Sequence, residues 1–142
     1  MNDATGVAEV MLGLPGFRVL DVRDGAGELV IEIETIAALV GCPGCGVVAR
    51  AHGRTAVDYR DLAAFGRPAR LRWDKRRFRC EEPRCATRTW TESSEQFWAR
   101  CLLTNRAGVE CCLQVGRNAR PVTQMARSGH RCTHRNYFRY TD

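Results

Sequence analysis

The stretch "RPARLRWDKRRFRCEEPRC", residues 67–85, decides how the chain folds. In its first half Ala69, Leu71 and Trp73 alternate with Arg70 and Arg72, the period of two expected of a strand with one apolar and one charged face. The strand then runs straight into Cys80, and Cys85 follows across a Pro83-Arg84 corner. Upstream, "GCPGCG" (41–46) sets Cys42 and Cys45 on another tight bend. Pro43 turns the chain there, while Gly44 and Gly46 tolerate the backbone angles and the close approach.

Two thiol pairs on Pro-containing turns, each attached to a strand, describe a zinc ribbon. Zinc takes four thiolate or imidazole ligands at tetrahedral corners, and each turn supplies two of them. Cys42, Cys45, Cys80 and Cys85 are therefore the expected metal ligands. The rival reading for "CPGC" is a redox pair, which opens a helix after a strand. Here the pair is followed by "GVVARAHG", a poor helix start, and a matching second pair exists, so zinc is preferred. Cys111 and Cys112 fall in a helical pattern and read as small buried hydrophobes. Cys101, and Cys132 with its neighbours His130 and His134, match no site. His52, between the pairs, reads as a surface or hydrogen-bonded histidine.

With 142 residues the chain holds one small domain or two very small ones. The N-terminus has no secretory signal pattern, and the longest uncharged run, 35–49, is too short to cross a bilayer. The expectation is a cytoplasmic protein with no membrane partner, where eight cysteines stay reduced and do not form a disulfide framework. The net charge of +6 is uneven: residues 1–41 carry two arginines against seven acids, and basicity starts where the cysteine pairs start. A polyanionic partner for the last two thirds follows from this, alongside the plainer reading of a solvated surface.

Working outward, "FRVLDVRDGAGELVIEIET" reads as a hairpin turning at "DGAG", with Glu28, Glu32 and Glu34 on a solvated face. "VVARAHGR" and "RTWTE" read as further strands. From Thr104 the period becomes helical through Leu103, Ala107, Cys111 and Val115, with Gly116 a plausible C-cap. A second helix is expected from Pro121 to Gly129. The fold class is α+β: an N-terminal helix and β-hairpin (1–41), a small β-rich zinc ribbon (42–92), and a short helical segment (104–142) forming a partial helix-turn-helix.

The order of "CPGCG", "DLAAFGRPARLRWDKRRFRCEEPRCATRTWTE" and "ARPVTQMARSG" resembles the N-terminal part of the zinc-ribbon insertion-sequence transposases of the ISL-three family. The likeness runs from about residue 10 to 128. It implies that the same four cysteines hold zinc, and that the basic strand and a following helix-turn-helix recognise terminal inverted repeats. It also implies a catalytic domain beyond, whereas this chain stops at 142, and "HRCTHRNYFRYTD" lacks the pattern of a recognition helix. The expectation is a truncated or frameshifted, non-enzymatic fragment. Ala63 also departs from the proline usual in the family.

The leading functional reading is thus a zinc-binding DNA-recognition fragment. Its phosphate contacts are expected from Arg70, Arg72, Lys75, Arg76, Arg77 and Arg79, divided between the two strand faces, and base contacts from Gln124 and Arg127. The alternatives are a zinc-ribbon protein-interaction module and, third, a CxxC thiol oxidoreductase. No nucleophile–base pair or carboxylate cluster stands out, and Asp58, Asp61 and Asp74 are expected to pair with arginine.

Overall fold

The computed structural model describes residues 3–36, 39–97 and 102–118. Helix α1 (Asp3–Leu12) leads into strand β1 (Phe17–Asp24), which turns at Gly25–Glu28 into β2 (Leu29–Thr35). The first cysteine bend precedes β3 (Arg50–Ala64), which hairpins into β4 (Arg67–Arg79). The second bend leads to β5 (Thr89–Thr91), and α2 (Asn105–Asn118) closes the described chain. The protein is thus mostly β-sheet, with two short helices.

The sheet order is β1-β2-β4-β3, with β5 paired to β4. The pair β2–β4 is parallel, and the other pairs are antiparallel. The hairpin and the ribbon strands therefore belong to one sheet. β4 takes the middle because it satisfies two ladders: β3 runs along one edge, while β2 (at Ala69–Trp73) and β5 (at Arg77–Arg79) share the other. Buried backbone groups need partners, so the strand richest in buried apolar residues goes where both edges are covered.

The burial pattern of β4 changes face halfway. Ala69, Leu71 and Trp73 are buried on one face, whereas Phe78 and then Cys80 are buried on the other. Residues two apart share a face, so Lys75, Arg77 and Arg79 continue the face of Trp73. Arg70, Arg72, Asp74 and Arg76 continue the face of Phe78. Two cores follow. The larger gathers Leu12, Phe17, Ile31, Ile33, Tyr59, Leu71, Trp73 and Phe97. Phe17 meets the Trp73 ring edge-on, with centroids 5.0 Å apart, and Phe97 stacks on it at 4.8 Å. The smaller holds Cys42, Cys80 and Cys85 with Trp90 against them.

Bulges keep these faces in phase. One extra residue in β1, between Val19 and Asp21, returns Val22 to the core side opposite Ile31. In β3, His52 and Gly53 stand opposite Arg77 alone, and Gly53 takes a φ of 112° to allow it. α2 starts where Thr104 caps it, its hydroxyl accepting from the Ala107 amide at 3.3 Å. The same hydroxyl donates to Asp61 at 2.6 Å, and Arg106 Nε donates to Asp61 at 2.8 Å, tying α2 to β3. Leu103, just before this helix, and Ala107 and Cys111 on it are buried, whereas Cys112 is exposed, so only one of the two adjacent thiols is a core residue. α2 runs past Gly116 to Asn118, so Gly116 is not its C-cap. A helical glycine costs roughly 1 kcal/mol against alanine and does not by itself end a helix. The second helix expected over 121–129 lies outside the described residues.

Candidate metal centre and charged faces

Cys42 and Cys45 sit on a knuckle closed by short backbone bonds. The Cys42 amide donates to Val47 O and the Gly46 amide to Cys42 O, each at 2.8 Å, with Gly46 at a φ of 77°. An antiparallel bridge between Gly41 and Val48 closes the bend, and strand β3, not the helix a redox pair would open, follows it. The second knuckle is set by the Cys80 amide on Arg88 O at 2.9 Å and the Cys85 amide on Glu82 O at 3.1 Å. Arg88 also donates to the Glu82 and Pro83 carbonyls across the bend. The knuckles meet at Gly44, where a Cβ would lie 2.6 Å from Thr87 Oγ1 and 3.2 Å from Cys85 Sγ. Glycine is required there for want of space.

The four sulfurs lie within 4.8 Å of one another, at 3.7 Å for Cys42–Cys85 and 3.5 Å for Cys45–Cys80. A tetrahedron with arms of about 2.3 Å has edges of about 3.8 Å, which those two pairs match closely. No disulfide joins any of them. Amides aim at the sulfurs as a ligand set requires. Burial raises the Cys42 thiol, but the Gly44 and Cys45 amides and neighbouring thiols outweigh it and bring it down to about 7. At Cys80 the Glu82 amide favours the thiolate, yet burial and the three adjacent thiols push it up to about 12. At Cys45 the Val47 amide is likewise outweighed by burial with Cys42 and Cys85, and its thiol is raised. Without a cation only part of the set ionises, and Zn²⁺ relieves the repulsion among the rest. His52 is exposed on β3 and is not one of the four ligands.

The basic strand is less free than its sequence suggests. Beyond β4's apolar half, the polar face of the sheet carries seven arginines: 18, 23, 54, 60, 70, 72 and 76. They are met by seven carboxylates: Asp21, Glu28, Glu32, Glu34, Asp58, Asp74 and Glu92. Glu28 accepts from both Arg60 and Arg70, and Glu34 from both Arg18 and Arg54. The carboxyl of Glu34, though burial raises it, is held below its ordinary value by those two guanidinium groups. The glutamates of β2 are therefore not a solvated acidic face; cross-strand register turns them into partners for arginines distant in sequence.

The expected phosphate contacts divide accordingly. Arg70 pairs with Glu28 and Asp58, and Arg72 lies 3.9 Å from Asp58. Arg76 is largely buried against Glu92 at 3.1 Å. Asp74 pairs with Arg54 and Asp61 with Arg106. On the other face, Lys75 Nζ sits 4.3 Å from the Trp73 ring centroid and 3.3 Å from the Tyr59 hydroxyl. Arg77 is exposed and makes no ion pair among the described residues. Arg79 shares Glu81 with Arg50, at 2.9 and 3.0 Å. Gln124 and Arg127 lie outside the described residues. Sequence reasoning missed Trp90 as the cover over the sulfurs, although its place opposite Phe78 follows once β5 pairs with β4.

The site and sheet define a four-cysteine zinc ribbon built into a mostly β protein. The chain matches the family model described as the zinc-finger of transposase IS204/IS1001/IS1096/IS1165 over residues 38–85, which spans both knuckles and the hairpin between them. No curated protein and no solved structure matches the chain. No helix among the described residues is long and apolar enough to cross a membrane.

Proposed function

We propose that the chain is a zinc-binding DNA-recognition fragment of a transposase, non-catalytic in itself, whose ancestral target is the terminal inverted repeats of an insertion sequence. The observation that carries this is the four-thiol centre inside the segment that matches a transposase zinc finger. Four thiolates fill zinc's coordination shell and leave no position for a reacting water, so the ion's part is structural. In this reading α2 is the first helix of a helix-turn-helix, and Gln124 and Arg127 belong to the second. The excess of basic residues after residue 41 supports a polyanionic partner.

A protein-interaction module is the second reading, favoured by one observation: the most arginine-rich face is neutralised by its own carboxylates. Salt decides between them. Binding of the zinc-loaded chain to an inverted-repeat duplex and a scrambled one is measured by fluorescence anisotropy from 50 to 200 mM salt. The DNA reading expects log affinity to fall linearly with log salt, with a slope of about −2 to −4 for two to four phosphates contacted. Absence of binding, or binding indifferent to salt, transfers the site to the protein-interaction reading.

A further inference from the structure

We propose that the surface meeting the phosphate backbone is the ribbon-end patch of Lys75, Arg77, Arg79 and Arg50, and not the arginine-rich polar face of the sheet. This rests on the DNA reading above and names the part of the molecule that performs it. Lys75, Arg77 and Arg79 project from one face of β4, at intervals of about 6.6 Å for alternate residues of a strand. Successive phosphates of one duplex strand rise about 3.4 Å along the axis and also wind about it, which puts neighbours at a separation comparable to this spacing, so the row can meet consecutive phosphates. Arg50 stands opposite Arg79 in the β3 ladder and adds a fourth cation. Thr91 and Thr89, opposite Arg77 and Arg79 on β5, place exposed hydroxyls on the same face. Hydroxyls of this kind commonly donate to phosphate oxygens beside arginine and lysine.

Charge separates the two faces. Seven arginines on the polar face meet seven carboxylates, whereas the four cations of the patch have one carboxylate in ion-pair reach among the described residues, Glu81. Arg50 and Arg79 share it, and both pairs are exposed, where such interactions are weak and exchange readily for a phosphate. The zinc-thiolate centre, formally −2, would oppose an anion, but Cys80 and its cover Trp90, which stands opposite Phe78, belong to the other face of β4. The patch is thus separated by the sheet from both sources of negative charge.

The test uses the zinc-loaded full chain, a fluorescent duplex and three variants, each checked for zinc content. Lys75→Met keeps the stem over Trp73; combined with Arg77→Gln it is expected to flatten the log–log salt slope by about 1.8 and lower affinity at least tenfold at 100 mM salt. Arg70→Gln with Arg72→Gln is expected to leave the slope unchanged. Glu81→Gln frees two arginines and is expected to tighten binding and steepen the slope, a gain that misfolding does not produce. If the Arg70/Arg72 variant flattens the slope and the Lys75/Arg77 variant does not, the patch is wrong while DNA binding stands. If the parent chain binds no duplex at 50 mM salt, the DNA reading itself is wrong, and the patch with it.

Discussion

Gly44 is the residue on which the two halves of the metal centre close. A methyl group there meets Thr87 Oγ1 at 2.6 Å and the Cys85 sulfur at 3.2 Å, and neither is the end of a flexible side chain. Gly44→Ala is therefore expected to pry the knuckles apart and weaken zinc at least tenfold, measured by competition with a chromophoric chelator. Gly46→Ala meets nothing within 4 Å, and its cost is the strain of a positive φ alone. An equal loss of zinc in both variants would show that backbone angle, and not close approach, governs the site. The thiols set a second expectation. At pH 7.5 Cys42, near 7, is largely ionised, while Cys45 and Cys80 are raised and still hold protons. Zinc must displace at least those two protons, so its affinity falls as pH falls, by at least about 100-fold per unit. A weakly buffered solution should acidify on zinc addition. Cys111→Ala, in the α2 core, should alter neither behaviour.

The tip of the β3–β4 hairpin carries a conflict between local preference and sequence. Phe65 and Gly66 both have positive φ, 53° and 73°, as a two-residue type I′ turn demands. Asparagine suits the first position, whereas a bulky aromatic does not, and Phe65 is 59% exposed. Phe65→Asn should stabilise the protein by about 0.5–1 kcal/mol in urea unfolding at constant m-value. A loss instead would show that the ring packs over the groove it lines with Met11 and Leu62. At this scale the sequence reads well where periodicity is local. β1, β2, the apolar half of β4, the first turns of α2 and both knuckles follow from spacing alone. What escapes is pairing between distant segments. Nothing in "LVIEIET" says that it joins β4 in parallel, or that Glu28 and Glu34 will face arginines from other strands. Which arginines of "RWDKRRFR" meet a carboxylate is settled in the same way, by register and not composition: Arg72 and Arg76 face Asp58 and Glu92, whereas Arg77 on the other face makes no ion pair among the described residues.

Across the whole molecule, the change of buried face along β4 divides stability between two cores joined by one strand. The main core around Trp73 contains no ligand and draws on α1, β1, β2 and Phe97. The ribbon core consists of three buried cysteines, Trp90 and Phe78, too little apolar surface to hold two knuckles without an ion. Structural zinc supplies about 10–16 kcal/mol in comparable small sites, more than many small domains hold in total. Chelation should therefore melt the ribbon end and leave the Trp73 core folded. The measurement is amide hydrogen exchange before and after zinc removal. The amides of Cys42, Cys80 and Trp90 should lose protection, while those of Ile31, Ile33 and Leu71 keep theirs. β4 passes through both cores, so fraying is expected to travel down it and stop near Asp74, whose carboxylate Arg54 holds from β3. Simultaneous loss of protection at Leu71 and Cys80 would show that the continuous strand couples the cores into one cooperative unit, with zinc holding the whole sheet.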